Sequence, residues 1–140
     1  MKKNILFVCM ENSNRSQMAE AFSKIHGEKT VNAYSAGSKP SGVINPKAIA
    51  AMKESRYDLS IHKSKSLNEI PNVVYEYAIT MGCGDECPFV IAHHKEDWDI
   101  PDPKNMEPDS FRSIRDLIEQ KVKDLLKGIR SSKPGLKLGV

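Results

Sequence analysis

Blocks of apolar residues separated by polar stretches divide the first half of the chain into predicted strands and helices. Residues 4–9 are an almost continuous apolar run, which is typical of a strand buried on both faces of a parallel sheet. Residues 16–26 carry apolar side chains at three- and four-residue spacing, which predicts a helix that Gly27 ends. Residues 31–36 predict a second strand, and residues 46–57 predict a second helix with proline in its first turn.

The apolar pattern of the second half of the chain predicts further helices and strands. Residues 61–67 predict one turn of helix, residues 73–80 a third strand, and residues 89–93 a shorter strand or a loop. Residues 107–127 predict a long amphipathic helix, because apolar side chains recur there with the helical period. Those side chains are Phe111, Ile114, Leu117, Ile118, Val122 and Leu125. Alternating strands and helices predict an α/β fold, an open parallel sheet of about four strands with helices on both faces.

Length, charge and cysteine content narrow the class of protein. The 140 residues suffice for one hydrophobic core, so we predict a single domain over residues 1–140 whose tail is flexible from about residue 129. A net charge of +3 is too small to indicate nucleic-acid binding. No apolar run has the length of a membrane span or a signal peptide, so we expect a cytoplasmic protein that does not bind membranes. Three cysteines cannot all pair, which favours redox or catalytic use over a disulfide framework.

The segment between the first strand and the first helix has the composition of an anion-binding loop. It runs from Cys9 to Arg15 and Ser16, and its backbone N–H groups can converge on a tetrahedral oxyanion. The positive field of these groups and of Arg15 favours the thiolate of Cys9, and the Ser16 hydroxyl is placed to donate to its sulfur. The alternative is a buried cysteine beside a helix-capping cluster. The predicted oxyanion-binding residues are Met10, Glu11, Asn12, Ser13, Asn14 and Arg15.

Two further cysteines, Cys83 and Cys87, follow the third predicted strand in a glycine-containing segment. Residues four apart on a helical turn have Cα atoms about 6 Å apart, which a disulfide accepts after a small adjustment. Two thiols that can form a disulfide can supply two electrons to a redox reaction. Two other interpretations remain open, a zinc site that includes His93 or His94 and a pair of inert thiols.

The loop sequence resembles the phosphate loop of the low-molecular-weight protein tyrosine phosphatases. Together with residues 17–21, Gln-Met-Ala-Glu-Ala, it looks more like the arsenate reductases built on the same fold. The resemblance continues in order over roughly residues 3–128. The matching segments are Ser35-Ala36-Gly37, Asn45-Pro46, Ile79 to Pro88, Trp98 and Asp102-Pro103. The resemblance implies the fold of that family and an oxidoreductase of arsenical resistance.

The resemblance also implies a mechanism of arsenate reduction. The Cys9 thiolate would attack arsenate while Asp102 protonates the leaving oxygen, with Asp99 as the fallback acid in the same loop. Cys83 would then attack the Cys9 sulfur and release arsenite, and Cys87 would move the disulfide to a Cys83–Cys87 bridge. Thioredoxin, glutaredoxin or a small thiol would reduce this bridge. No cofactor is implied, and we expect a monomer.

Two residues depart from the pattern of the resembled family. Glu11 stands where many members carry glycine, which places a negative charge near the predicted anion site unless the side chain points to solvent. Some members bind a monovalent cation near the loop through acidic and polar groups. Glu20 and Ser35 match such groups, but Lys65 stands where an acid is expected, so we predict no essential metal.

Two alternative functions remain open. A low-molecular-weight protein tyrosine phosphatase or related phosphomonoesterase would form a phospho-cysteine on Cys9, although no paired aromatic residues follow Asp102-Pro103 to favour phosphotyrosine. A non-catalytic redox or oxyanion-binding module would bind its ligand without turnover. Because hydrolysis does not need Cys83 or Cys87, removing them distinguishes a phosphatase from a reductase.

Overall fold

A four-stranded parallel β-sheet organises the part of the chain that the computed structural model describes, residues 2–82 and 90–131. The predicted α/β fold with four parallel strands is confirmed. The strands lie in the order β2-β1-β3-β4 and are β1 (Lys3–Cys9), β2 (Val31–Gly37), β3 (Tyr75–Thr80) and β4 (Ala92–Asp97). The helices are α1 (Arg15–Gly27), α2 (Pro46–Lys53) and α3 (Pro108–Ser131), with one-turn 3₁₀ segments at Leu59–Ile61 and Leu67–Glu69.

β1 lies inside the sheet, and its register fixes the position of the loop that follows it. Its pairing with β2 places Cys9 opposite Gly37. Its pairing with β3 on the other side places Val8 opposite Thr80. The carboxyl ends of three neighbouring strands therefore meet at one end of the sheet, which is where ligands bind in folds of this class.

The apolar side chains of β1 belong to two clusters, because successive side chains of a strand point to opposite faces of the sheet. Ile5 and Phe7 are fully buried in the larger cluster, which all three helices complete. Leu6 and Val8 lie in the smaller cluster, against which Leu67 of the second 3₁₀ segment packs. The helical side chains of the larger cluster include Met18, Phe22, Ala48, Met52, Phe111, Ile114, Ile118 and Val122. The strand that ends at Cys9 is thus packed on both faces.

The helices differ from their predicted bounds mainly at their C-terminal ends. α2 ends at Lys53 rather than at residue 57. The reason is a left-handed conformation at Arg56, with φ of +61°, which returns the Tyr57 N–H to the Met52 carbonyl at 3.1 Å. α3 continues to Ser131, so the first residues of the predicted flexible tail are helical, and residues 132–140 lie outside the described residues. None of the described helices is long and apolar enough to cross a membrane.

The predicted apolar face of α3 is confirmed except at one position. Leu117 is 39% exposed, whereas Leu126, which the prediction omitted, is fully buried. Leu126 packs against α1 at Gly27, where an added Cβ would lie 2.7 Å from its side chain. The remaining predicted positions, Phe111, Ile114, Ile118, Val122 and Leu125, are buried.

Two short predicted elements lie in the wrong place. β4 spans Ala92–Asp97 rather than residues 89–93, and its side chains are mostly exposed. Because these residues are polar, no apolar alternation marks the strand, which forms by pairing with β3. In place of the helical turn predicted at residues 61–67, the structure has two 3₁₀ segments that overlap the two ends of that range.

Candidate active site

The loop of residues 10–14 joins β1 to α1 and turns its carbonyl groups toward one neighbouring segment. The carbonyls of Cys9, Met10, Glu11 and Ser13 accept hydrogen bonds of 2.8–3.2 Å from backbone N–H groups within residues 38–45. In a trans peptide the N–H of the next residue points the opposite way from the carbonyl. The N–H groups of residues 10, 11, 12 and 14 therefore point away from that segment. These N–H groups are available as donors to an oxyanion.

Cys9 ends β1 at this loop and is almost fully buried, with 3% of its surface exposed. Its sulfur lies 2.9 Å from the Ser16 hydroxyl oxygen. Ser16 accepts a hydrogen bond from the Asn12 carboxamide, with 2.8 Å between Nδ2 and Oγ. When Cys9 is a thiolate its sulfur has no hydrogen to donate, so Ser16, whose oxygen accepts from Asn12, donates its own hydrogen to the sulfur.

Asn12 shapes the loop through its backbone. It adopts the left-handed conformation with φ of +52°, which is uncommon for a residue other than glycine. Its side chain is fully buried, and Oδ1 accepts a hydrogen bond from the Lys65 N–H at 2.9 Å. Gly37 of β2 packs against the same turn, since an added Cβ there would lie 2.7 Å from the Met10 carbonyl oxygen. Contacts from both sides therefore fix the loop.

Arg15 begins α1 and is 7% exposed. Its Nη1 donates to the Ile100 carbonyl at 3.0 Å, and its Nη2 lies 3.8 Å from Oδ2 of Asp102. Gly82 lies against the guanidinium with φ of +72°, and an added Cβ there would lie 2.7 Å from Nη1. The end of the loop therefore carries a fixed cation, which is suited to bind a doubly charged oxyanion.

The negative charge that Glu11 places near the predicted anion site is paired with a lysine. Its Oε2 lies 3.0 Å from Nζ of Lys104, and this hydrogen bond raises the pKa of Lys104. The Lys104 backbone N–H also donates to Asp102 Oδ1 at 3.1 Å. The ion pair thus links the anion-binding loop to the loop that carries Asp102.

A buried carboxylate, Glu20, lies on α1 one turn beyond the loop. It accepts hydrogen bonds from the Ser35 hydroxyl at 2.6 Å and from the Lys24 ammonium at 2.7 Å. Burial alone raises the pKa of Glu20, but these hydrogen bonds outweigh burial and the pKa falls below its ordinary value. Lys65 adds a second ammonium at 3.8 Å. Among residues 2–82 and 90–131, no group of three or more His, Cys, Asp or Glu side chains could hold a metal ion.

The structure assembles part of the predicted catalytic set. Arg15 and Asp102 lie beside each other, and Ser16 contacts Cys9. Cys83 and Cys87 lie outside the described residues, so their positions relative to Cys9 stay a prediction.

The predicted oxyanion-binding residues include side chains that face away from an anion. Ser13 donates to the Val43 carbonyl at 2.8 Å, and Glu11 pairs with Lys104. Asn12 binds Ser16 and the backbone of Lys65. Any contact of these residues with an oxyanion would therefore come from their backbone N–H groups.

Sequence reasoning missed several polar residues that support the loop. Gln17 is fully buried and donates to Asn12, although its position in a helix next to polar residues is typical of a solvent-facing side chain. His62 contacts Gln17 from a distant segment, and no sequence spacing signals this contact. Lys104 was missed as the partner of Glu11 because the two are far apart in the chain.

Comparison with protein families also relates this chain to proteins that bind oxyanions such as phosphate. Residues 4–134 match the family described as low molecular weight phosphotyrosine protein phosphatase. Arsenate reductase 1 of Staphylococcus epidermidis is 42% identical over 123 residues, which are 84% of this chain and 91% of that protein. The glutaredoxin arsenate reductase of Synechocystis sp. is 35% identical over 127 residues, 89% of this chain and 96% of that protein.

Solved structures of similar fold carry related names. An arsenate reductase in the phosphate-binding state has a TM-score of 0.83 and 35% identity, covering 92% of this chain and 99% of the other. The thioredoxin-dependent arsenate reductase of Corynebacterium glutamicum has a TM-score of 0.75 and 30% identity, covering 94% of this chain and 64% of the other. The chain therefore belongs to the low molecular weight phosphotyrosine protein phosphatase family, and its resemblance to the arsenate reductases of that fold is confirmed.

Proposed function

We propose that this chain is an arsenate reductase, which converts arsenate to arsenite with the Cys9 thiolate as its nucleophile. The main support is the arrangement at the end of β1. Cys9 lies beside the Ser16 hydroxyl, and the loop that follows points the N–H groups of residues 10, 11, 12 and 14 away from residues 38–45, which bind its carbonyl groups. Relatives named arsenate reductase at 42% and 35% identity support arsenate as the substrate.

The first step uses the described residues. Arsenate would occupy the loop, where backbone N–H groups and the Arg15 guanidinium neutralise its charge. The Cys9 sulfur then forms a bond to arsenic, and the bond from arsenic to one oxygen breaks. Asp102, which is 44% exposed beside Arg15, would donate the proton that lets this oxygen leave as water. The product is a thio-arsenate ester on Cys9.

The second step needs two electrons, which we assign to the remaining thiols. The Cys83 thiolate would attack the Cys9 sulfur, and the electron pair of the sulfur–arsenic bond would pass to arsenic as arsenite leaves. Cys87 would then attack Cys83, which restores the Cys9 thiolate and leaves a Cys83–Cys87 disulfide. Their place after β3 in the sequence supports this assignment, since the end of β3 neighbours the end of β1.

An external thiol must reduce that disulfide before the next turnover. Relatives named as glutaredoxin and thioredoxin-dependent arsenate reductases support a protein of the thioredoxin or glutaredoxin class as the donor. We place the reaction in the cytoplasm, because thiol reductants keep protein cysteines reduced there.

A single-turnover experiment tests the proposal. Fully reduced protein is mixed with arsenate in the absence of external reductant, and arsenite, remaining thiols and the disulfide are quantified by mass spectrometry. One arsenite per protein, two thiols lost and a Cys83–Cys87 bridge are expected. Cys83→Ser should release no arsenite, whereas Cys87→Ser should release one arsenite and stop at a Cys9–Cys83 disulfide.

The family match makes phosphate ester hydrolysis the outcome to distinguish. If the wild type keeps all three thiols and yields no arsenite, the reductase proposal is wrong. Hydrolysis of an aryl phosphate that survives in the Cys83→Ser/Cys87→Ser double variant and is lost in Cys9→Ser would then assign a phosphatase.

A further inference from the structure

A fully buried polar side chain outside the predicted catalytic set, Gln17, contacts the anion-binding loop. Its Nε2 lies 2.7 Å from Oδ1 of Asn12, 3.1 Å from the Asn12 carbonyl oxygen and 2.8 Å from the Lys63 carbonyl oxygen. All three neighbours accept hydrogen bonds, so this end of the Gln17 carboxamide is the NH₂ group. The Gln17 oxygen must therefore face a donor on its other side.

That donor is His62. Its Nδ1 lies 2.8 Å from Oε1 of Gln17, so Nδ1 carries the hydrogen. Burial lowers the pKa of His62 below its ordinary value of 6.5, and the ring is neutral at neutral pH. Nε2 is then an acceptor, which makes the Tyr57 hydroxyl at 2.6 Å its donor. The charged groups that face His62 are Glu20, Lys24, Lys65 and Asp58.

These contacts join into one series of hydrogen bonds that ends at the Cys9 sulfur, and every donor in the series points toward Cys9. Reversing the Gln17 carboxamide would place its oxygen against three other oxygens, so the direction of the series is fixed at Gln17. Bonds in such a series polarise one another. The order is Tyr57 to His62, His62 to Gln17, Gln17 to Asn12, Asn12 to Ser16, and Ser16 to Cys9.

We propose that Gln17 is a positioning residue for the Cys9 nucleophile. Its carboxamide holds Asn12 in the left-handed conformation, and Asn12 then orients Ser16 so that the hydroxyl hydrogen faces the sulfur. Gln17 does not touch the reacting atoms. The inference rests on the proposed function, because it concerns the nucleophile of that reaction, but it can be measured without turnover.

The test is the pH profile of Cys9 alkylation by iodoacetamide, followed by mass spectrometry of the peptide that contains Cys9. Gln17→Met keeps the length of the side chain and removes its hydrogen bonds. At a pH well below both midpoints the rate should fall about tenfold, while the rate at alkaline pH, where the thiolate is fully formed, changes less than about twofold. The pH midpoint of alkylation should therefore rise by about one unit.

Two further variants separate positioning from a structural role. Ser23→Ala is the matched control, because Ser23 is also fully buried on α1 but donates to the Ala19 carbonyl at 2.9 Å, away from the series. It should lower stability without moving the midpoint. Tyr57→Phe removes the first donor, which permits the other His62 tautomer. It should raise the midpoint by a smaller amount than Gln17→Met.

An unchanged midpoint in Gln17→Met would overturn the inference. If that variant does not fold, an unchanged midpoint in Tyr57→Phe would overturn it instead. The outcome is independent of the proposed function: a raised midpoint in a protein that yields no arsenite would reject arsenate reduction and retain the role of Gln17. Normal arsenite release by the wild type, together with an unchanged midpoint in Gln17→Met, would retain arsenate reduction and reject the role of Gln17.

Discussion

Replacing Gly37 with alanine tests whether packing from β2 sets the shape of the anion-binding loop. A Cβ at this position would lie 2.7 Å from the Met10 carbonyl oxygen and 3.0 Å from the Asn12 backbone nitrogen. Both are backbone atoms, so no side-chain rotation relieves the contact. Either the end of β2 or the loop must move by several tenths of an ångström.

The size of the effect follows from this geometry. Overpacking of a closely packed site costs about 1–3 kcal/mol, so the free energy of unfolding of Gly37→Ala should fall by that amount. A shift of about 1 Å in a catalytic group can cost about 100-fold in rate, and we expect kcat/KM for arsenate to fall at least about tenfold.

Gly128→Ala provides the matched control. Gly128 lies in α3, and an added Cβ there meets no described atom within 4 Å. Alanine is favoured over glycine inside a helix, so the free energy of unfolding should rise by about 0.5–1 kcal/mol with activity unchanged. Urea unfolding and steady-state kinetics measure both quantities. A Gly37→Ala variant with wild-type stability and wild-type kcat/KM would refute the reasoning.

Four other substitutions give outcomes that the structure fixes in direction. Ile118→Ala should cost about 2–5 kcal/mol in urea unfolding, because its side chain is fully buried, whereas the neighbouring Leu117→Ala, which is 39% exposed, should cost less than half as much. Glu20→Gln should lower stability by about 1–3 kcal/mol at neutral pH. The folded pKa of Glu20 lies below its ordinary 4.5, so the wild type loses this stability as the pH falls through the folded pKa. The unfolding curves of the wild type and Glu20→Gln should therefore converge in acid. A difference in the free energy of unfolding that grows in acid would contradict this prediction. Lys104→Met removes the ion-pair partner of Glu11 beside the anion site, so the negative charge of Glu11 should weaken arsenate binding. KM for arsenate should rise about two- to fivefold at about 10 mM salt and much less at about 1 M salt, which screens the charge. A rise in KM that does not depend on salt would argue against a charge effect of Glu11.

Elements whose burial leaves a pattern in the sequence were predictable. β1 and α1 follow their predicted bounds closely, because a strand buried on both faces is a continuous apolar run and the apolar side chains Met18 and Phe22 of α1 are fully buried in the core. β4 could not be found in this way, since its stability comes from backbone pairing with β3 rather than from its own side chains. The end of α2 depends on the backbone conformation of Arg56, which no apolar spacing reports.

The candidate site shows the same division. Cys9, Arg15 and Ser16 were predictable because they are close in sequence and their side chains suit oxyanion chemistry. The contacts that hold them come from distant segments: the Ile100 carbonyl binds Arg15, and His62 binds Gln17. Such contacts form only when the folded sheet brings these segments together, so the spacing of residues within one segment does not predict them.

The polar character of β4 also affects how copies of this protein meet one another. Among the described residues β4 pairs with β3 alone, which makes it an edge strand of the sheet. An open edge presents backbone groups that a strand of another molecule could join, and charged side chains hinder such joining. His93 to Asp97 are exposed there and include Lys95, Glu96 and Asp97. The charged residues that leave β4 without an apolar pattern therefore also hinder edge-to-edge aggregation of the sheet.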